Sequence, residues 1–458
     1  MRLAVISDVH LGDPMCQVVV REGGRCRPGP RLEQLQAALA PGLTYLVLIG
    51  DILDFSLATY EEVYEAAEVF FGALAGTAEY FVYVPGNHDF DVWTTVEYQV
   101  NIINRLDRGK PVRPFRWTVP AVFDDRPGRR DRQVLPTVDP SPEGPPYGGL
   151  FLDALGTGGG GRSRFIFAYP NAYLATADGE LIMMTHGHYF EWYWSALYEA
   201  VTGIVAGHPP GAGEAEPADP TLEQMVAVNS TACQLSCSGI GQAGLLSRVI
   251  NEVVAEVKVE SRHRSLAATS RYLDNAIAYV DAYTRIGGDL FDRLDLDERV
   301  MEAIKARLMR KLRAYEAARR RVPFLRNKGT RERFGAYFAA GAREIAALNE
   351  RHACALPESP GAVIFGHTHR PLRWEPTRVP NADYDYPYRG RTVRLFNAGA
   401  WINREREGRG QVFSGAEVFL YDSDIPGGMT SVAIEAEAGP GPEMIADGPG
   451  ASDGPEGS

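Results

Sequence analysis

Five short polar clusters in this chain are built from residue types that bind divalent metals. They are Asp8-Val9-His10, Gly50-Asp51-Ile52-Leu53-Asp54, Gly86-Asn87-His88-Asp89, His186-Gly187-His188 and Gly366-His367-Thr368-His369. Each follows a short apolar run. A strand alternates its side chains, so Asp-x-His and His-x-His can aim two ligands the same way. Imidazole, carboxylate and amide oxygen together suit cations of borderline hardness such as Mn, Fe or Zn. The glycines let the backbone turn sharply and approach an ion. The sequence has nine histidines, and six fall inside these clusters, leaving only His208, His263 and His352 outside. A single Asp-x-His is ordinarily a surface turn or a satisfied core histidine. Five such clusters, each after a strand, point instead to a metal centre.

The elements that must position these clusters are legible from apolar spacing. Residues 3–7, 45–49 and 80–84 read as buried strands, with helical spacing at 32–40 and 60–75 between them. Ligands in open α/β sheets collect at the C-terminal ends of strands, where these clusters stand. Residues 165–169 and 173–176 are apolar, and Asp178-Gly179 turns the chain into 181–185, a hairpin that delivers His186. Residues 246–259, 266–285, 296–321 and 331–352 have helical spacing. Strand patterns resume at 362–365, 393–397, 416–421 and 430–434.

The expected organisation is therefore a sheet-based core in two pieces, 1–189 and 357–437. A helical insertion spans 190–356, and a tail rich in Gly, Pro and acids spans 438–458 and is expected to be disordered. Within the first piece, 108–162 reads as a loop-rich insertion. Its run Gly158-Gly159-Gly160-Gly161 lacks a following Lys-Ser/Thr, so it is a flexible loop and not a phosphate cradle.

Bulk properties narrow the setting. At 458 residues the chain can bury a large core. A net charge of −12 argues against nucleic acid binding over the whole surface. No apolar run is long enough for a transmembrane helix, and the short apolar start runs straight into Asp8 and His10, unlike a signal peptide. The five cysteines are sparse and form no Cys-x-x-Cys pair, which fits free thiols in a reducing, cytoplasmic setting. Cys233 and Cys237, one helical turn apart, read as small core residues before metal ligands.

Taken in order, the five clusters resemble the motifs of the calcineurin-like metallophosphoesterase superfamily. The resemblance implies an α/β fold in which two β-sheets form a sandwich flanked by helices, with a dinuclear site at one edge. It also implies two divalent ions, one held by Asp8, His10, Asp51 and His369 and the other by Asp51, Asn87, His186 and His367. Such a pair lowers the pKa of a bridging water, which attacks phosphorus as hydroxide, and clamps the phosphoryl oxygens. His88 would stabilise the transition state or protonate the leaving oxygen, and Asp54 would orient it. Asp89 reads either as a further site carboxylate or as a local turn residue. His188 either contacts substrate or lines the pocket, and Arg370 either meets an anionic group or pairs on the scaffold. Asn397-Ala398-Gly399-Ala400-Trp401 is similar to a closing Asn-x-Gly-x-Trp segment of some members.

The substrate implied is phosphorylated: a nucleotide, a lipid-linked precursor or nucleic acid. Gly-His-Thr-His-Arg-Pro from Gly366, Gly-Asn-x-Asp-Phe from Gly86 and the helical insertion are similar to UDP-2,3-diacylglucosamine pyrophosphatases. His88 stands where those enzymes carry Arg, and His188 where they carry Asp. The aromatic run Tyr189-Phe190-Glu191-Trp192-Tyr193-Trp194 reads as core or as an apolar lid. Between Lys305 and Lys328 ten basic residues face a lone acid, Glu316. That run is either a solvated face or a docking surface for phosphates, acidic lipid headgroups or nucleic acid. Hydrolysis of a phosphate mono- or diester or a pyrophosphate is the leading reading. A nuclease using those basic helices is the second, and a scaffold that kept the fold without catalysis is the third.

Overall fold

A computed structural model describes residues 1–39, 41–128, 164–191, 220–234, 237, 242, 324–375, 377–406, 410–425 and 427–435. The expected helices at 246–259, 266–285 and 296–321, the glycine run at 158–161 and the tail at 438–458 lie outside these residues.

The described residues form two six-stranded sheets. The first contains β1 (Arg2–Ile6), β4 (Leu43–Leu48), β5 (Ala78–Tyr83), β7 (Arg164–Phe167), β15 (Ala416–Asp422) and β16 (Met429–Ile434), in the order β16-β15-β1-β4-β5-β7. Strands β1, β4, β5 and β7 run parallel, and β15 returns antiparallel beside β1. The second contains β6 (Ala121–Asp124), β8 (Asn171–Ala175), β9 (Leu181–Thr185), β10 (Ala362–Phe365), β11 (Asp385–Tyr388) and β12 (Arg391–Asn397), in the order β11-β12-β10-β9-β8-β6. Two hairpins, β2 (Val19–Glu22) with β3 (Arg25–Pro28) and β13 (Asn403–Arg406) with β14 (Gly410–Phe413), stand apart from the sandwich.

Alternation along each strand builds two cores. Leu3 and Val5 point between the sheets, where they meet Tyr45, Val47, Phe123, Met184, Ile364 and Phe419. Ala4 and Ile6 point the other way, into the cluster under the helices with Leu35, Phe70 and Trp93. Strands buried on both faces read as continuous apolar runs, which is why β1, β4 and β5 were recognisable. Helix α1 (Leu32–Ala38) and α2 (Tyr60–Ala73) cover that outer face. Helix α2 begins at a capping box: Thr59 accepts from the Glu62 amide, and the Glu62 carboxylate accepts from the Thr59 amide at 3.1 Å. Helix α3 (Phe90–Tyr98) continues through a π-turn (Gln99–Ile103) into the short α4 (Asn104–Asp107).

The helices of the expected insertion that can be described are α5 (Leu222–Gln234) and α6 (Lys328–His352). Helix α6 covers the second sheet. Phe334 and Phe338 pack on Tyr386 and Tyr388, with ring centroids 5.0 and 4.9 Å apart. Strand β6 lies inside the stretch read as loop-rich and pairs in parallel with β8. Its three apolar residues, Ala121 to Phe123, sit between Pro120 and Arg126-Pro127 in a Pro- and Arg-rich stretch, so the local pattern is too short to read as a strand. No helix among the described residues is long and apolar enough to cross a membrane.

Candidate metal centre

Every cluster leaves the sandwich at the C-terminal end of a strand, on one edge. Asp8 and His10 follow β1, Asp51 and Asp54 follow β4, and Asn87 and His88 follow β5. His186 and His188 follow β9, and His367 and His369 follow β10. The loops are laced by their backbones: Asp8 N to Gly50 O (3.0 Å), His10 N to Asp51 O (2.9 Å), Gly366 N to His186 O (2.9 Å) and Phe55 N to His88 O (3.1 Å). The carboxylates also take amide hydrogens, His367 N to Asp8 (3.0 Å) and His88 N to Asp51 Oδ1 (2.9 Å). The Asn397–Trp401 segment closes the same edge: Asn397 Nδ2 donates to Gly366 O (2.6 Å), and Trp401 N to Asp8 O (2.9 Å).

Asp8, His10, Asp51, His367 and His369 all adopt left-handed backbone, with φ between 52° and 64°. Non-glycine residues rarely do so, Asp and His being among those that tolerate it best, and such strain gathers where side chains must be aimed. Two glycines are required by proximity. A Cβ on Gly366 would collide with the Asp8 carboxylate and the Ser7 hydroxyl, and one on Gly86 with Asp51.

The aimed side chains converge into two neighbouring groups made of expected ligands, and a third group, His10, Asp51 and His88, links them. In the first, Asp8, His10 and His369 each offer a donor atom within 4.8 Å of the others. His369 Nε2 lies 3.2 Å from Asp8 Oδ1 and 3.2 Å from His10 Nε2. In the second, Asp51, His186 and His367 do the same. There His186 Nε2 is 3.1 Å from both Asp51 Oδ2 and Asn87 Oδ1. Asp51 Oδ2 also lies 3.9 Å from His10 Nε2, so it stands between the groups. All seven expected ligands are thus brought together. Buried carboxylate, imidazole and amide oxygen facing one another form a donor set that fits divalent cations.

The electrostatics favour ionised carboxylates. Burial pushes the Asp8 carboxyl up, but hydrogen bonds from His10 and His369 outweigh it and hold it below the usual carboxylate range. Asp51 and Asp54 are likewise held low against burial, chiefly by His186 and His88 respectively. Burial opposes a charge on His186, yet the adjacent Asp51 raises its pKa to about 9.

Beside the ligands, His88 Nδ1 meets Asp54 Oδ1 at 3.0 Å, and Ser56 Oγ lies 2.7 Å from that nitrogen and 2.6 Å from the same oxygen. Asp54 Oδ2 meets His10 Nδ1 at 2.9 Å, so this carboxylate serves an expected ligand as well as His88. Asp89 accepts from Gly86 N (2.5 Å), Ile52 N (2.9 Å) and Tyr83 Oη (2.6 Å), tying two ligand loops together. His188 is 1 % exposed, tilted against Tyr189 and near His186. Burial, and then the charges of His186 and His367, hold its pKa well below the ordinary value. Arg370 is exposed at the rim just after His369.

Four contributors to the site were not assigned a role there from sequence. Glu191 Oε2 lies 2.8 Å from His367 Nε2; the signal available was an acid inside an aromatic run. Ser56 follows Asp54 by two residues, with nothing local to mark it. Cys237 Sγ donates to Asn87 O (3.0 Å), and Gln242 Nε2 to Phe55 O (3.0 Å), so residues of the insertion brace two ligand loops. None of the five cysteines is joined in a disulfide. Tyr189 and Phe190 are buried in the core, while Trp192 to Trp194 lie outside the described residues. Of the basic run, 305–323 lies outside as well; its described end holds Arg326 paired with Asp383 (2.5 Å) and Lys328 with Glu332 (3.7 Å).

Comparison with known families agrees with this geometry. Residues 1–210 match the model for calcineurin-like phosphoesterases, a segment that includes the first four clusters. No curated protein matches the chain. The fifth cluster lies beyond the matched segment but reaches the same edge from a strand of the same sandwich. The matched segment is thus that of a calcineurin-like phosphoesterase, which makes the chain a metal-dependent phosphoester hydrolase.

Proposed function

We propose that the chain hydrolyses a phosphate monoester, diester or pyrophosphate at a dinuclear metal centre. The observation that carries this reading is the placement of Asp51 between two donor groups, its Oδ2 3.1 Å from His186 and 3.9 Å from His10. One ion would be held by Asp8, His10, Asp51 and His369, the other by Asp51, Asn87, His186 and His367. When bound, such a pair makes water acidic enough to act as a nucleophile near neutral pH and offsets charge on the phosphoryl oxygens.

The remaining groups supply orientation and protons. Asp54 and Ser56 engage His88 Nδ1, which leaves Nε2 for the substrate, and the side chain is 31 % exposed. An Nε2–H there can stabilise a phosphoryl oxygen or protonate the leaving oxygen. Arg370, at the rim, suits an anionic group beyond the scissile phosphate, whether a second phosphate or a carboxylate. A lipid-linked pyrophosphate is one substrate consistent with that arrangement. Five cysteines outside any disulfide support a reducing, cytoplasmic setting.

The test is turnover of generic phosphate mono- and diesters by the Mn-loaded protein, with metal content measured alongside. Asp51→Asn weakens a ligand to both ions and is expected to abolish activity; turnover equal to the parent would overturn the dinuclear mechanism.

A further inference from the structure

We propose that Glu191 is a positioning residue for His367, fixing which imidazole nitrogen faces the second ion. The inference rests on the dinuclear reading above. Glu191 is 3 % exposed, and its Oε2 lies 2.8 Å from His367 Nε2. A carboxylate so buried is tolerated only where it is hydrogen-bonded or paired. Ionised, it can only accept, so the imidazole hydrogen sits on Nε2 and the Nδ1 lone pair is turned away from Glu191. The His367 ring stands edge-on to His186, centroids 5.2 Å apart, inside the group that includes Asp51.

Two other candidate ligands are tied in the same way. His10 has Nδ1 on Asp54 Oδ2 at 2.9 Å, and His186 has Nδ1 on the Ile49 carbonyl at 3.0 Å. In each case one nitrogen is held by an acceptor and the other is left for the centre, the arrangement that orients metal-binding histidines and raises their basicity. Glu191 differs in origin. It ends the short turn His188–Phe190 after β9, its amide bonded to His188 O at 3.1 Å. The chain that presents His186 therefore also orients a ligand arriving from β10. The local reason is the left-handed Gly187, whose φ of 103° folds the backbone back at once after His186.

The test is calorimetric titration of the full-length, metal-free protein with Mn2+, with metal content after dialysis as a second readout. The parent is expected to bind two ions. Glu191→Ala is expected to bind one ion as the parent does and the other about 10–100-fold more weakly. Glu191→Gln keeps the volume and an amide oxygen that can accept from Nε2, so it should fall between the two and covers the case in which the alanine variant does not fold. His367→Ala, as the reference, should lose the same ion. Parental affinity for both ions in Glu191→Ala, with one ion lost in His367→Ala, overturns the positioning role while the ligand reading stands. Equal weakening of both ions also overturns it, since that is a general structural effect. Retention of both ions by His367→Ala overturns the ligand reading itself.

Discussion

Replacing Glu344 by Gln should stabilise the protein above neutral pH and leave it unchanged in acid. Glu344 lies on α6, where its Oε2 accepts from Tyr173 Oη at 2.7 Å and Asn171 Nδ2 at 3.3 Å. Asn171 Oδ1 in turn accepts from Tyr337 Oη at 2.6 Å, and that hydroxyl lies 3.0 Å from Thr185 Oγ1, next to His186. Burial, with help from Glu223, pushes the Glu344 pKa up to about 7 from its ordinary 4.5, against the two hydrogen bonds and the charge of Arg351. Among the described residues its Oε1 has no hydrogen-bond partner. The folded chain therefore keeps a proton across that window which the unfolded chain releases. Stability from this group is full below the unfolded value and declines as pH rises toward the folded one. At about 1.4 kcal/mol per pH unit the gap sets a ceiling of ~3 kcal/mol. The residue as a whole is half-buried, and solvent screening brings the expected effect to about 1–2 kcal/mol. Gln has nearly the same shape, can still accept from Tyr173, and never ionises. Urea unfolding of the metal-free protein near pH 5 and about pH 8 reads the effect, because the variant's advantage should open between them. An advantage of the same size at both pH values would refute the reasoning.

His88→Ala should lower kcat by about 10²–10⁴-fold while both ions remain bound, measured by turnover and metal content together; loss of an ion would make His88 a ligand instead. Gly366→Ala forces a methyl group against Asp8 and Ser7 and should cost about 1–3 kcal/mol in denaturant unfolding, with weakened metal binding. If it folds and binds metal like the parent, the close approach of that loop is wrong. Arg370→Ala should raise KM for a substrate bearing a second anionic group and leave a simple monoester nearly unchanged; equal changes for both would remove Arg370 from substrate contact.

What was legible in the sequence was whatever has local spacing. Asp8 and His10, or His367 and His369, sit two residues apart after four or five apolar residues, so strand and ligand pair are read in a single window. The sandwich strands were clear because both faces are buried, which makes each an unbroken apolar run. Strand β6 escaped because its four residues gain their meaning from pairing with β8, a partner just over fifty positions away. Glu191, Ser56 and Gln242 escaped for the same reason. Nothing beside Glu191 in the chain announces that His367, 176 residues later, will be its partner.

The form of the motifs, as well as their residue types, has a physical cause. Five of the seven candidate ligands have left-handed backbone, and a non-glycine residue there costs of order 1–3 kcal/mol. The sum is comparable to the net stability of a typical domain, so the loops cannot hold that shape alone. Each is held by its neighbours: the Asp8 carboxylate takes the His367 amide, and Asp51 takes the amide of His88. The intervening glycines let these loops approach closely enough for such bonds. Removing one ligand therefore removes a backbone anchor for the next. Single substitutions among Asp8, Asp51 and Gly366 should disturb the whole edge together, whereas His88 and Arg370, which anchor no ligand backbone in this web, should be separable from it.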